Sequence, residues 1–268
     1  MPAKSKDILV ERKEAVALIT LNRPATRNAF INDMVVELER AIVEADYDEH
    51  VRVIVITGAG QAFSSGADVD AFKQAFVDSK RLGYQVHSID QENLERFSLR
   101  LRGITKPVVA AINGAAVGLG FTLSLACDIR IASDKARLGA IFARVGLSPE
   151  FGSSYYLVRL IGIAKACELV FTAKIVEAKE ALELGLVNRV VPHEKLMDET
   201  MAFAREIAAL PPMAIKLAKA NLYSGLDANL LSQGHQELMA NQILRETKDY
   251  AEGITAFIEK RPAKFTGR

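Results

Sequence analysis

Strand and helix signals alternate along this chain as far as Pro192 and then the strand signals stop, an order that confines it to a few architectures. Ile8 to Glu11 and Ala15 to Leu21 read as strands, Asp33 to Ala45 carries apolar residues at helical spacing, and Val51 to Thr57 is a β-branched run. A second unit follows, with a helical pattern over Leu94 to Leu101, a strand over Val108 to Ile112, a helix across Gly118 to Cys127 and a strand over Ile129 to Ala132. The expectation is an α/β core. Between the units, residues 71 to 95 mix polar residues with scattered aromatics, which predicts a partly helical, mobile segment able to cover a site. Beyond Pro192, Glu194 to Leu210, Met213 to Tyr223, Asn229 to Leu244 and Lys248 to Ile258 all read as helices. The chain is therefore divided into a core over 1–192 and a helical region over 193–268, with Pro211-Pro212 as a further break.

Charge and composition exclude several classes of function. Lys plus Arg number 34 against 33 for Asp plus Glu in 268 residues, so no global field draws the chain to nucleic acid or to an anionic membrane. Residues 107 to 127 carry no charge, which raises a membrane span. The β-rich Pro107 to Ile112, the Asn113-Gly114 turn and three glycines favour a buried strand turning into a buried helix instead. Met1 to Lys6 is not followed by an apolar run of the secretory kind, and Phe265 to Arg268 is not a peroxisomal Ser-Lys-Leu signal, so a cytoplasmic location is expected. Cys127 and Cys167 have no Cys or His at metal-ligand spacing and read as buried free thiols, so no metal is expected. His50, His87, His193 and His235 lie in polar or helical stretches and read as surface or structural residues.

Two glycine-rich segments are suited to holding an anion. In Phe63-Ser64-Ser65-Gly66-Ala67-Asp68, small residues let a ligand approach backbone N–H groups closely, although the same pattern also suits a strand-to-helix turn capped by Asp68. Gly114 to Gly120 joins a strand to a helix, whose first N–H groups are unpaired. Neither segment matches a phosphate loop or a dinucleotide fingerprint. Downstream, Gly146-Leu-Ser-Pro-Glu150-Phe-Gly-Ser-Ser-Tyr155 sets one carboxylate among turn-forming residues. A carboxylate working beside oxyanion donors suggests proton transfer.

Asn22-Arg23-Pro24 with Asn28-Ala29, Ser65-Gly66-Ala67-Asp68, Ala111-Ile112-Asn113-Gly114 with Gly118, and Cys127-Asp128-Ile129-Arg130 together resemble the crotonase (enoyl-CoA hydratase/isomerase) superfamily. Ala181-x-x-x-Gly185-Leu186-Val187-Asn188 and the closing Ala256-Phe257-Ile258-Glu259-Lys260-Arg261 extend the resemblance nearly end to end. It implies a crotonase-type spiral of strand-strand-helix units, a C-terminal helical trimerisation region, and a homotrimer or a dimer of trimers. It also implies an acyl-CoA thioester as substrate, coenzyme A being part of that substrate and no separate cofactor being needed. The amides of Ala67 and Leu119 would form the oxyanion hole, Leu119 standing where the family commonly has glycine. Ala25 and Arg27, the Ser65-Gly66-Ala67-Asp68 loop, and Phe257 and Lys260 would contact CoA, the last two reaching that of a neighbouring subunit.

The positions at which family hydratases hold their two glutamates fall on Thr122 and Phe142. Glu150 falls where the peroxisomal-type 3,2-enoyl-CoA isomerases carry their single acid. The resemblance thus implies an isomerase that moves a 3-enoyl double bond to C2, with Glu150 shuttling the proton. Two alternatives stay open: a hydratase or other crotonase-type lyase, and a non-catalytic acyl-CoA-binding protein.

Overall fold

A computed structural model describes residues 7–268; Met1 to Lys6, read above for a targeting signal, lie outside the described residues. Two sheets carry the fold. β1 (Ile8–Lys13) and β2 (Val16–Leu21) form an antiparallel hairpin, and α1 (Asn32–Tyr47) leads to β3 (Val53–Gly58), which lies parallel to β2. The short β4 (Ala62–Ser64) leaves that layer and starts a second sheet, and α2 (Val69–Leu82) and α3 (Gln91–Gly103) follow. The step repeats: β5 (Val108–Ile112) joins the first sheet, β6 (Ala115–Val117) the second, and α4 (Leu119–Ala126) follows. It repeats again with β7 (Ile129–Ser133) and β8 (Arg137–Gly139), then α5 (Ser153–Ile161) and α6 (Ile163–Thr172). β9 (Val176–Glu177), α7 (Ala178–Leu184) and β10 (Arg189–Val191) complete sheets ordered β1-β2-β3-β5-β7-β10 and β4-β6-β8-β9. This is the spiral of strand-strand-helix units expected from the sequence. The smaller sheet was not visible there, because strands of two or three residues carry no readable alternation.

In the central strands of the first sheet both faces are buried, and the strand period assigns the side chains. Ile54 and Ile56 of β3 enter the main core with Phe30, Leu38 and Phe63, while Val53 and Val55 face the opposite way. That second face, with Val109 and Ala111 of β5, is sealed by α8 (Leu196–Ala208) through Leu196, Met201, Ala204 and Ala208. Burying Leu196 and Met201 contributes about 1.5–3 kcal/mol each. The change in packing therefore does not come at 192/193. Helices begin there as expected, but the first belongs to the core, because a sheet with an uncovered Val-Val-Ala face would be left in water.

α9 (Pro212–Ser224), α10 (Leu230–Arg245) and α11 (Lys248–Glu259) lie beyond the Pro211-Pro212 break. α9 is tied to the core by polar contacts: Lys219 Nζ lies 2.6 Å from Asp128 Oδ2, and the Tyr223 hydroxyl donates to Asp128 Oδ1. Residues 107 to 127 divide into β5, β6 and α4, and no described helix is long and apolar enough to cross a membrane. The 71–95 segment, expected to be partly helical, consists of most of α2, a connecting loop and the start of α3. Its apolar periodicity was obscured because α2 buries only Ala75. Cys127 is buried, with its thiol pKa pushed up to about 12 chiefly by burial, whereas Cys167 is only half-buried.

Candidate active site

The two glycine-rich segments meet. Phe30 forms an isolated parallel bridge with Ala67, in which the Phe30 N–H donates to the Gly66 carbonyl (2.8 Å) and the Asp68 N–H donates to the Phe30 carbonyl (2.9 Å). In such a bridge the middle residue turns its own N–H to the opposite side, so the Ala67 amide points away from Phe30. Leu119 is the first residue of α4, and its N–H has no place in the i to i−4 ladder. A methyl group built on Gly66 would lie 3.0 Å from the Val117 carbonyl oxygen and 3.6 Å from the Leu119 nitrogen, which shows how closely the two backbones approach. Gly66 (φ +92°) and Gly118 (φ +54°, ψ −125°) adopt conformations open chiefly to glycine.

Other contacts lock this pair of loops. Gly118 donates to the Gly139 carbonyl (3.1 Å) and its own carbonyl accepts from the Thr122 N–H (3.0 Å) and hydroxyl (3.2 Å). Gly120 presses α4 on β4, since a Cβ there would come within 2.6 Å of Ser64. The Leu119 side chain is buried in the main core, so leucine at this position leaves the amide unobstructed by its own side chain.

Asp68 is turned to the scaffold. Its carboxylate accepts from the N–H groups of Asp70 (3.1 Å) and Ala71 (3.2 Å) at the start of α2 and from Arg23 Nη1 (3.0 Å). Burial alone would raise its pKa, but the Ala71 and Arg23 hydrogen bonds and the Arg23 charge outweigh that and hold it below the ordinary carboxylate value. Arg23 also donates to the Ala29 carbonyl, and the buried Asn28 side chain donates to the Ala59 and Ala62 carbonyls. These bonds place the 22–28 loop beside the glycine segment: the Ser65 N–H donates to the Arg27 carbonyl and the Ser65 hydroxyl to that of Thr26. Ala25 and Arg27 are exposed on this edge, next to Ser65 and Gly66. Phe257 and Lys260 are absent from the lining of the cavity described next; Phe257 is 84% exposed at the end of α11.

Glu150 and Ala67 share one cavity of about 240 Å³, together with Phe72, Ala75 and Phe76 of α2, the 85–89 stretch of the loop, Gln91 and Leu94 of α3, and Leu147. Glu150 is placed by its neighbours. Phe151 (φ +57°) and Gly152 (φ +76°) are both left-handed, and such a conformation is rare for a bulky residue. Phe151 is held there by an edge-on contact with Phe97, ring centres 5.1 Å apart, and by a hydrogen bond from the Ser98 hydroxyl to its carbonyl. Among the described residues no donor or cation is paired with the Glu150 carboxylate, and burial pushes its pKa above the ordinary value. Thr122 is buried with its hydroxyl on the Gly118 carbonyl, and Phe142 is buried in the main core. His87, expected to serve only at the surface or in structure, also lines the cavity while remaining exposed. The 71–95 segment, expected to cover a site, supplies most of this lining; its individual residues were not singled out, although Phe72, Ala75 and Phe76, at helical spacing, were the available signal.

A carboxylate with a raised pKa beside a backbone amide able to meet a developing oxyanion is equipment for moving a proton α to a carbonyl. Comparison with known proteins agrees with that chemistry at the level of family. The model of the enoyl-CoA hydratase/isomerase family matches residues 11–268. A probable enoyl-CoA hydratase of Mycobacterium bovis, EchA12, is 41% identical over 268 residues, covering 97% of this chain and 92% of that protein. A short-chain-enoyl-CoA hydratase of Clostridium acetobutylicum is 35% identical, with 95% of each chain covered. The crystal structure of an enoyl-CoA hydratase subunit from Geobacillus kaustophilus superposes with a TM-score of 0.89 at 36% identity, covering 98% of this chain and 100% of that one. With fold, loop geometry and near full-length similarity in agreement, the chain belongs to the enoyl-CoA hydratase/isomerase family.

Proposed function

We propose that the protein is an acyl-CoA isomerase that moves a 3-enoyl double bond to C2, with Glu150 as its single acid–base group. One observation carries this reading: among the described residues Glu150 is the only carboxylate lining the cavity that it shares with Ala67, and the two positions at which family hydratases hold glutamates are a buried threonine and a buried phenylalanine. In the reaction, the Glu150 carboxylate takes a proton from C2 of the 3-enoyl thioester. The resulting dienolate places negative charge on the thioester oxygen, where the Ala67 and Leu119 N–H groups receive it. Glu150 then returns the proton to C4, leaving the double bond between C2 and C3. No water is consumed and one carboxyl group serves both transfers. The apolar surroundings that raise the Glu150 pKa narrow the gap to the carbon acid and favour that exchange.

The CoA portion would lie along Ala25, Arg27, Ser65 and Gly66, where the 22–28 loop and the glycine segment form one edge. Asp68 would brace this edge. Phe257 and Lys260 would act on the CoA of a neighbouring subunit in a trimer or a dimer of trimers. Exposed apolar residues on α10 and α11 support such an assembly, among them Leu230 (90% exposed), Leu231, Met239, Phe257 (84%) and Ile258.

Hydration is the second reading, and the names of the relatives favour it, since those compared above are called hydratases. In that case Glu150 alone would activate water. Product analysis separates the two: conversion of 3-hexenoyl-CoA to its 2-enoyl isomer well in excess of crotonyl-CoA hydration is expected. Dominant formation of 3-hydroxyacyl-CoA would overturn the isomerase reading.

A further inference from the structure

We infer that Ser98 is a positioning residue for the proton transfer, its hydroxyl fixing the turn that aims the Glu150 carboxylate. The role rests on the acid–base reading of Glu150 given above. The Glu150 carbonyl accepts from the Ser153 N–H (3.0 Å), closing a turn whose two central residues, Phe151 (φ +57°) and Gly152 (φ +76°), are both left-handed. Turns of that hand favour glycine, asparagine or aspartate at both central positions. A phenylalanine at the first leaves such a conformation readily unless its surroundings hold it there.

The hold comes from α3. Phe97 packs edge-on against the Phe151 ring, and the next residue, Ser98, donates from its hydroxyl to the Phe151 carbonyl (3.0 Å). Ser98 also reaches the second residue of the turn, since a Cβ built on Gly152 would lie 3.2 Å from Ser98 Oγ. One side chain therefore meets both left-handed residues. α3 is itself a firm mount: Arg96 and Arg100 each bring a guanidinium nitrogen to 3.0 Å from the buried Glu39 carboxylate of α1. Without the Ser98 hydroxyl, the Phe151 carbonyl loses this donor and the turn can relax toward negative φ, which shifts Glu150 relative to Ala67. A misplacement of about 1 Å costs on the order of a hundredfold in rate and requires no loss of substrate binding. A relaxed turn also admits water to the carboxylate and undoes the burial that raises its pKa.

The test is steady-state isomerisation of 3-hexenoyl-CoA across pH by Ser98→Ala and Ser98→Thr, beside the unaltered protein and Glu150→Gln. Ser98→Ala should lower kcat by about 10- to 100-fold while KM changes by less than about threefold. It should also move the acid-side midpoint of kcat/KM down toward 4.5, the ordinary value for glutamate. Ser98→Thr keeps the hydroxyl and should recover most of kcat together with the original midpoint. Should Ser98→Ala not fold, Ser98→Cys, of similar size and a weak donor, is read in its place. A kcat for Ser98→Ala within about twofold of the unaltered protein, or a fall in kcat with the midpoint unmoved, would overturn the inference. Isomerisation lost in Glu150→Gln but untouched in Ser98→Ala overturns the role of Ser98 alone. Isomerisation that survives Glu150→Gln removes the acid–base reading, and the role of Ser98 with it.

Discussion

Replacing Gly118 by alanine tests the Leu119 amide with little steric disturbance. The new Cβ would meet only the Gly66 Cα, at 3.7 Å, an ordinary contact, so the cost lies in the backbone. At φ +54° and ψ −125° that cost is about 1–3 kcal/mol. For a chain of this size it corresponds to a melting temperature lower by roughly 2–12 °C, within what a typical domain tolerates. The Gly118 ψ angle also sets the plane of the peptide that carries the Leu119 N–H. Any relaxation that relieves the strain turns that donor away from the thioester oxygen. Loss of one oxyanion donor costs about 10²–10³ in kcat, and partial misalignment should cost at least about tenfold. Thermal unfolding together with steady-state turnover of 3-hexenoyl-CoA should therefore show a modest loss of stability, a fall in kcat of tenfold or more and a smaller change in KM. A variant that melts earlier yet retains kcat within twofold would refute the view that this amide stabilises the enolate.

Other expectations concern charge and assembly. Because burial raises the folded-state pKa of Glu150, its stability contribution is complete below its unfolded value near 4.5 and is lost as pH rises through the raised value. Glu150→Gln should consequently raise the melting temperature at pH 7 and not at pH 4, whereas equal shifts at both would contradict the desolvated carboxylate. The base must be ionised in the free enzyme, so kcat/KM should fall as pH drops through a midpoint above 4.5, a result readable from a pH–rate profile. Asp68→Asn keeps a side chain able to cap α2 while losing the ion pair with Arg23, so activity should stay within about threefold and stability should drop by about 1 kcal/mol. A loss of kcat exceeding a hundredfold would make Asp68 a direct participant. Sedimentation should find the chain in multiples of three; a stable monomer at micromolar concentration would remove the proposed roles of Phe257 and Lys260.

The long strands and isolated helices were legible because periodicity speaks clearly over five or more residues: β3, β5 and the four helices after Pro192 lie within a few residues of where the pattern puts them. The glycine segments were legible because few other residues adopt the required angles. α2 hid its character by burying a single alanine, and β4, β6, β8 and β9 were too short to show alternation. The place of α8 could not be read from its own residues, since an apolar stripe does not say which sheet face it covers. Glu150 was visible as a carboxylate in a turn. Its apolar surroundings were not, because apart from Leu147 they come from α2, α3 and the intervening loop, more than fifty residues earlier in the chain.

The central claim is that one carboxylate carries both proton transfers, and the most direct test is the isomerisation of 3-hexenoyl-CoA by Glu150→Gln beside the unaltered protein. The amide has nearly the same shape and cannot accept the C2 proton, so the account predicts a loss of at least about 10³ in kcat, with acyl-CoA binding retained. Isomerisation or crotonyl-CoA hydration that survives the substitution within tenfold would contradict it and assign the chemistry to another group.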